Sequence, residues 1–243
     1  EKFQKIEGLD KTICLIPENR FRNEIEQGLS STNIKLKKKY FYESDPTLLT
    51  KRIEKITKYD RRKQNLADEI KRVEESDEFN KEKIIENLEK KDTLGKVNFD
   101  SVIISAFDET LKSITTSLIY TDVTPKKTYF ITLNQWFDES LLNEDSSQNL
   151  YFPSVNKKNF DEFKQEYFKK YSSEPNQISL LGFDMVGLIF YLSKVNNFQL
   201  NNKIFDQKNT FKGKIGLFEI EDKRIKHVLN FYKVENNKFK KIF

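Results

Sequence analysis

The chain has 243 residues, enough for one large domain or for one lobe with an appendage. Hydrophobic residues make up 37%, and 21 Phe carry much of the potential burial, so a packed core is available and a disordered chain is excluded. The net charge of +5 comes from 43 basic and 38 acidic residues, and the basic ones are mostly Lys. Bidentate recognition of phosphates and bases uses Arg, so no nucleic-acid partner is expected and the Lys read as a solvated surface.

Thr12-Ile13-Cys14-Leu15-Ile16 is an apolar, β-branched run and reads as a buried strand. Cys14 is the single cysteine, so an intrachain disulfide is excluded. No small residues precede it as a lipid attachment site would require. Neither a signal peptide nor an apolar run of about 18 residues is seen, so no transmembrane segment is expected. The chain begins just before a strand and reads as a fragment whose targeting signal lies outside it.

The turn Pro17-Glu18-Asn19-Arg20-Phe21 follows, then a helix over Asn23 to Leu29. Ile34 to Tyr42 alternates apolar residues with Lys and predicts a second strand. Asp45-Pro46 has the composition of a helix cap, and Leu48, Leu49, Ile53, Ile56 and Tyr59 continue it at helical spacing. From Tyr59 to Lys91 the chain is dense in charge, with sparse apolar positions at Leu66, Ile70, Val73, Ile84, Ile85 and Leu88. These fit two amphipathic helices joined near Ser76-Asp77, a helical excursion between strands that could be removed with the sheet intact. Its exposed face is a candidate docking surface beginning at Tyr59, Asp60, Arg61 and Arg62.

Phe99 to Ala106 predicts a strand, Thr110 to Tyr120 a helix, Thr128 to Leu133 a strand and Leu150 to Val155 a short strand. Phe160, Phe163, Tyr167 and Tyr171 form an aromatic stripe on one helix, read as core. Ser179 to Val195 is mostly apolar and is expected to be buried on more than one face. The tail alternates as strands through Ile215 to Ile220, Val228 to Val234 and Phe239 to Phe243, with turns at Glu221-Asp222 and Asn236-Asn237. Strands alternating with helices predict an α/β fold with a mostly parallel sheet.

Residues for chemistry are scarce. His227 is the only histidine, with no neighbouring ligands for a metal. There is no Gly-x-Ser-x-Gly elbow, no P-loop and no Gly-x-Gly-x-x-Gly, and seven glycines leave little for phosphate-cradling loops. No cofactor, no metal and no enzymatic activity are expected. In open α/β sheets ligands bind beyond the carboxyl ends of the strands. Those ends offer aromatic walls in Phe21, Phe107 and Trp136, with polar handles in Glu18, Asn19, Arg20, Asp108, Asn134 and Gln135.

From Thr12 to Phe243 this order of elements resembles the second lobe of type I periplasmic binding proteins, the leucine-binding-protein-like fold. Pro17-Glu18-Asn19-Arg20-Phe21-Arg22 is similar to that family's turn after the first strand of the lobe, with Phe21-Arg22 where Tyr-Gly is common. Tyr59-Asp60-Arg61-Arg62, Thr93-Leu94-Gly95, Phe99 to Ile104, Leu180 to Asp184 and Phe211 to Glu219 resemble its penicillin-binding protein activator-like branch in alphaproteobacteria. The resemblance implies a second lobe at 10–155 and 205–243, with the insertion at 59–95. It implies that a helical segment at 156–204 packs on an absent first lobe. It further implies a non-enzymatic periplasmic protein, lipid-anchored at the outer membrane and docking on a peptidoglycan synthase. The alternative is a solute-binding receptor that partners an ABC transporter permease and takes an amino acid or similar small polar ligand.

Overall fold

A computed structural model describes residues 1–77, 79–198, 209–221 and 224–243. The chain is α/β. In order it forms α1 (Lys2–Glu7), β1 (Thr12–Pro17), α2 (Arg22–Ser30), β2 (Lys38–Tyr42), α3 (Pro46–Thr57), α4 (Tyr59–Glu74), α5 (Lys81–Glu89), β3 (Ser101–Ile104) and α6 (Asp108–Tyr120). Then come β4 (Tyr129–Thr132), two short 3-10 turns, β5 (Leu150–Ser154), α7 (Lys157–Tyr171) and α8 (Gln177–Val195). The tail holds β6 (Asn209–Lys212), β7 (Leu217–Glu221), β8 (Arg224–Val228), β9 (Asn230–Glu235) and β10 (Lys238–Lys241).

Contacts divide the chain into two compact units. The first comprises Glu1–Leu133, Glu139–Tyr151 and Val234–Lys238; the second comprises Asn134–Asp138, Phe152–Lys233 and Phe239–Phe243.

In the first unit the parallel order is β5-β4-β3-β1-β2, with Cys14 beside Lys39 on one neighbour and Ile103 on the other. Every residue of β1 is buried, because a parallel strand is covered on both faces and its apolar run has no wet side. β2 is the edge strand and keeps its Lys in water. The predicted strand over Ile34 to Tyr42 shortens to β2, since β1 begins only at Thr12, whose carbonyl accepts from Lys37 N–H at 2.7 Å. Asp45 caps α3, accepting from Thr47 and Leu48 N–H at 3.0 Å. The short α1 escapes a periodicity reading because six residues hold less than two turns.

The charged segment is a helical hairpin, α4 with α5, closed by Leu66, Val73 and Leu88 against Ile70, Ile84, Ile85 and Leu94. It is no detachable appendage. The buried Arg62 donates to the Thr121 carbonyl at 3.0 Å, to Thr93 Oγ1 at 2.6 Å and to the Gly95 carbonyl at 3.3 Å, and pairs with Asp122 at 3.4 Å. Tyr59 is buried too, packed against Tyr120 with ring centroids 5.3 Å apart. These contacts tie the base of the hairpin to the end of α6, so removing all of Tyr59 to Lys91 would open the first unit's core. Two of the four docking residues read from the sequence therefore face inward. Asp60 and Arg61 alone are exposed.

In the second unit α7 is capped by Asn156 and α8 by Asn176, each accepting a backbone N–H in the first turn. Phe137 anchors an aromatic cluster with Phe152, Phe160, Tyr232 and Phe239, at centroid distances between 4.9 Å and 6.0 Å. β6, β7 and β8 form a separate antiparallel sheet, covered by Leu188 and Leu192 of α8. The predicted strand at Val228 to Val234 divides at Leu229, with β8 in that sheet and β9 pairing with the chain's end through Phe231 and Phe243. Asn236 and Asn237, which count with the first unit, both adopt positive φ, 51° and 56°, as a two-residue hairpin turn requires. Asp222 of the other predicted turn, and the expected boundary at 204–205, lie outside the described residues.

Two expectations fail on the helices. α8 is buried on one face only, through Leu180, Asp184, Leu188 and Leu192, while nine large apolar side chains on it, including Val186 at 69% and Phe190 at 62%, are exposed. Its mean hydropathy of 1.6 over at least 18 residues also makes it long and apolar enough to cross a membrane by length and composition, against the sequence expectation. The aromatic stripe is core only at Phe160 and Phe163; Tyr171 is 55% exposed.

Arg62→Met removes a buried cation and takes its donors from the Thr121 carbonyl and Thr93 Oγ1, leaving Asp122 with the Thr93 hydroxyl but without its counter-charge. The expected loss is about 2–4 kcal/mol in urea unfolding, with an unchanged m value. A loss below about 0.5 kcal/mol would show that the network does not hold the hairpin.

Candidate functional site

Within the first unit a cavity of about 560 Å³ opens at the carboxyl ends of the strands. Pro17 and Tyr42 end β1 and β2, Ser105 and Ala106 follow β3, and Leu133 follows β4. The first turns of α2 and α6 supply Glu24, Ile25 and Thr110. Asn19, Phe21 and Phe107 complete the walls, so three of the predicted site residues come together. Phe21 and Phe107 are large apolar residues left 51% and 48% exposed, a wet aromatic surface that a ligand could cover.

Local bonds hold this rim. Phe21 N–H donates to Asn19 Oδ1 at 2.9 Å, closing an Asx turn. Glu18 N–H donates to the Tyr42 carbonyl at 2.8 Å, and its carboxylate pairs with Arg22. The Arg20 guanidinium lies over the Phe21 ring, 4.7 Å from its centroid. Tyr42 OH donates to the Ser105 carbonyl at 2.9 Å, and burial pushes its phenol pKa up, so it stays neutral. Asp108 opens α6 with φ of 49°, a left-handed conformation at the mouth next to Phe107.

Asn134, Gln135 and Trp136 belong to the second unit, and the cavity lining stops at Leu133. There they form a tight turn. Trp136 N–H donates to Asn134 Oδ1 at 3.0 Å, Gln135 is buried, and its carbonyl accepts from Asp138 N–H at 3.0 Å. Glu24, Ile25, Tyr42, Ser44, Ser105 and Thr110 were not singled out from the sequence. Helical spacing was a usable signal for some: Glu24 and Ile25 lie three and four residues after Phe21, and Thr110 three after Phe107.

The isolated titratable groups have no catalytic setting. Cys14 is fully buried, and that burial pushes its thiol to about 11, with Ser105 and Lys39 acting weakly the other way. His227 stacks on Phe218 at 4.3 Å, and its buried Nε2 has no hydrogen-bond partner among the described residues. Burial pulls the imidazole below its ordinary value of 6.5, against the pull of the Asp184 carboxylate. Among the described residues no group of three His, Cys, Asp or Glu could hold a metal.

No family model matches the chain, and no curated protein matches it. Solved structures share its fold. A branched-chain amino acid ABC transporter periplasmic ligand-binding protein from Burkholderia xenovorans aligns with 100% of this chain at a TM-score of 0.59 and 7% identity, using 60% of its own length. An ABC transporter solute-binding protein from Rhodopseudomonas palustris, in complex with 3,4-dihydroxybenzoic acid, aligns with 99% at a TM-score of 0.54 and 11% identity, using 61% of its length. The LpoA C-domain from Haemophilus influenzae, a regulator of PBP1A, aligns with 100% at 0.52 and 11%, using 64% of its length. The chain thus has the periplasmic-binding-protein-like fold and spans less than two thirds of each of these structures.

Two measurements check the titratable groups. Cys14 should resist iodoacetamide at pH 8 in the folded protein and react promptly in denaturant; equal rates would mean an accessible thiolate. His227 has its folded pKa depressed, so the stability it contributes is complete above about pH 6.5 and is lost as pH falls through the lower folded value. The melting temperature should therefore fall between pH 7.5 and 5.5, and His227→Gln should reduce that fall.

Proposed function

We propose that this chain is a non-enzymatic, ligand-binding lobe of the solute-receptor type, acting in the periplasm and handing its ligand to an ABC transporter permease. The single observation carrying this reading is the cavity at the carboxyl ends of β1 to β4, where a strand-end site is expected. The receptors that share the fold are consistent with it. In this reading 10–155 and 205–243 form the second lobe, and the exposed apolar face of α8, within 156–204, packs on a first lobe. Glu18, Asn19, Arg20, Phe21, Phe107 and Asp108, all of the first unit, serve the ligand.

A second reading keeps one specific observation. The α4–α5 hairpin is an elaboration that ligand binding does not require, and it presents Asp60 and Arg61 to solvent. It supports a penicillin-binding protein activator-like regulator, lipid-anchored in the periplasm, docking on a peptidoglycan synthase. The inward-facing Tyr59 and Arg62 place this reading second.

Thermal melting against amino acids, short peptides, aromatic acids and aromatic amines separates the two. Ligand bound to the folded state alone adds about 2.7 kcal/mol at a hundredfold excess over Kd. A clear shift with one chemical class is expected. Cooperative melting with no shift for any class removes the receptor reading and favours the docking reading.

A further inference from the structure

The cavity's lining is unusual in its charge. No Lys or Arg is among the residues that line it, and Glu24 is the only ionised one. Glu24 stands in the first turn of α2, exposed, and makes no ion pair among the described residues. The neighbouring carboxylates do not change the sign. Glu18 is held by Arg22, and Glu109 pairs with Lys112 at 3.1 Å. Asp108 adds a further negative charge beside Phe107, and Arg20 lies outside the lining, stacked on Phe21. The first turns of α2 and α6 could in principle favour an anion, but Glu24 and Asp108 already occupy those positions with negative charge.

What remains is an aromatic-walled hollow lined by one acidic side chain, Glu24, and by the neutral polar residues Asn19, Tyr42, Ser44, Ser105 and Thr110. Benzene-ring faces attract cations and repel anions through the ring quadrupole. The chain provides its own example, since the Phe21 ring already holds the Arg20 guanidinium. A ligand carboxylate placed here would meet no cationic partner in the lining and would face Glu24. A ligand ammonium would meet the Glu24 carboxylate beside the Phe21 and Phe107 side chains.

We infer that the strand-end cavity takes the protonated-amine end of an apolar or aromatic ligand, held between Phe21 and Phe107 with Glu24 as its counter-charge. The inference rests on the receptor reading and names the ligand class for the same site.

The test uses the full chain and three probes of one shape: phenethylammonium, 2-phenylethanol and 3-phenylpropionate. The expected order of affinity, from melting shifts and calorimetric titration, is ammonium, then alcohol, then carboxylate. Glu24→Gln should bring the ammonium to the level of the alcohol and leave the alcohol unchanged. Phe107→Ala should weaken the ammonium about fivefold. Both positions are exposed, and an unchanged circular dichroism spectrum confirms that the variants fold. If the carboxylate binds as well as the ammonium, or better, the amine class is overturned while the receptor reading stands. Failure of all three to bind, with another class in the wider panel giving a shift, also overturns the amine class alone. Failure of every compound in both sets overturns the two together.

Discussion

The parallel pairing of β1 with β3 is the constraint on which the first unit depends. Both strands are almost wholly buried, so they can exist only with helices on each face. Their shared register sets Leu15 beside Ile104, so β1 runs two residues beyond β3 and Pro17 ends level with Tyr42 of β2. The turn through Phe21 and the turn through Phe107 must then leave the sheet side by side. Tyr42 fixes the third wall, because its hydroxyl reaches across β1 to the Ser105 carbonyl that follows β3. The cavity is a consequence of β1 and β2 stopping together while β3 stops two residues short of them, so that the Ser105-Ala106 turn lies beside the end of β1.

The hairpin of α4 and α5 shows how a charged segment can still be structural. Along Tyr59 to Glu74 most positions carry charge or amide groups, and a sequence reading places them in water. One guanidinium changes this. Arg62 satisfies the backbone carbonyl of the buried Thr121, which would otherwise be left without a donor inside the fold, and donates as well to the Gly95 carbonyl nearer the surface. Arg serves here where Lys would not, since its planar fork donates to several acceptors at once.

The strands of the sheet were legible because buried parallel strands read as continuous apolar runs, as in Ile13 to Ile16 and Val102 to Ile104. The site was legible at Asn19, Phe21 and Phe107, which sit in turns directly after strands. Its remaining walls were less so. Tyr42 closes an edge strand whose Lys residues suggest solvent, and Ser105 and Thr110 are small polar residues with no signature of their own. Burial of Arg62 was hidden for a different reason: its acceptors are backbone carbonyls, and a carbonyl leaves no mark in a sequence. The depth assigned to α8 was wrong because composition reports how apolar a helix is and not how much of it finds a partner.

The second unit is fastened by two close approaches. The Asp184 carboxylate accepts from Lys214 and Ile215 N–H at 2.6 Å and 3.0 Å, and a Cβ on Gly213 would sit 2.3 Å from its Oδ2. A Cβ on Gly216 would likewise sit 2.3 Å from His227 Nε2. The face of α8 opposite Asp184 has a thermodynamic consequence. Unfolding raises the heat capacity only in proportion to apolar surface newly exposed to water. Val186, Phe190 and their neighbours are already hydrated in the folded chain, so they contribute little to that increment. The temperature dependence of this unit's stability is therefore flatter than its hydrophobic content alone would suggest.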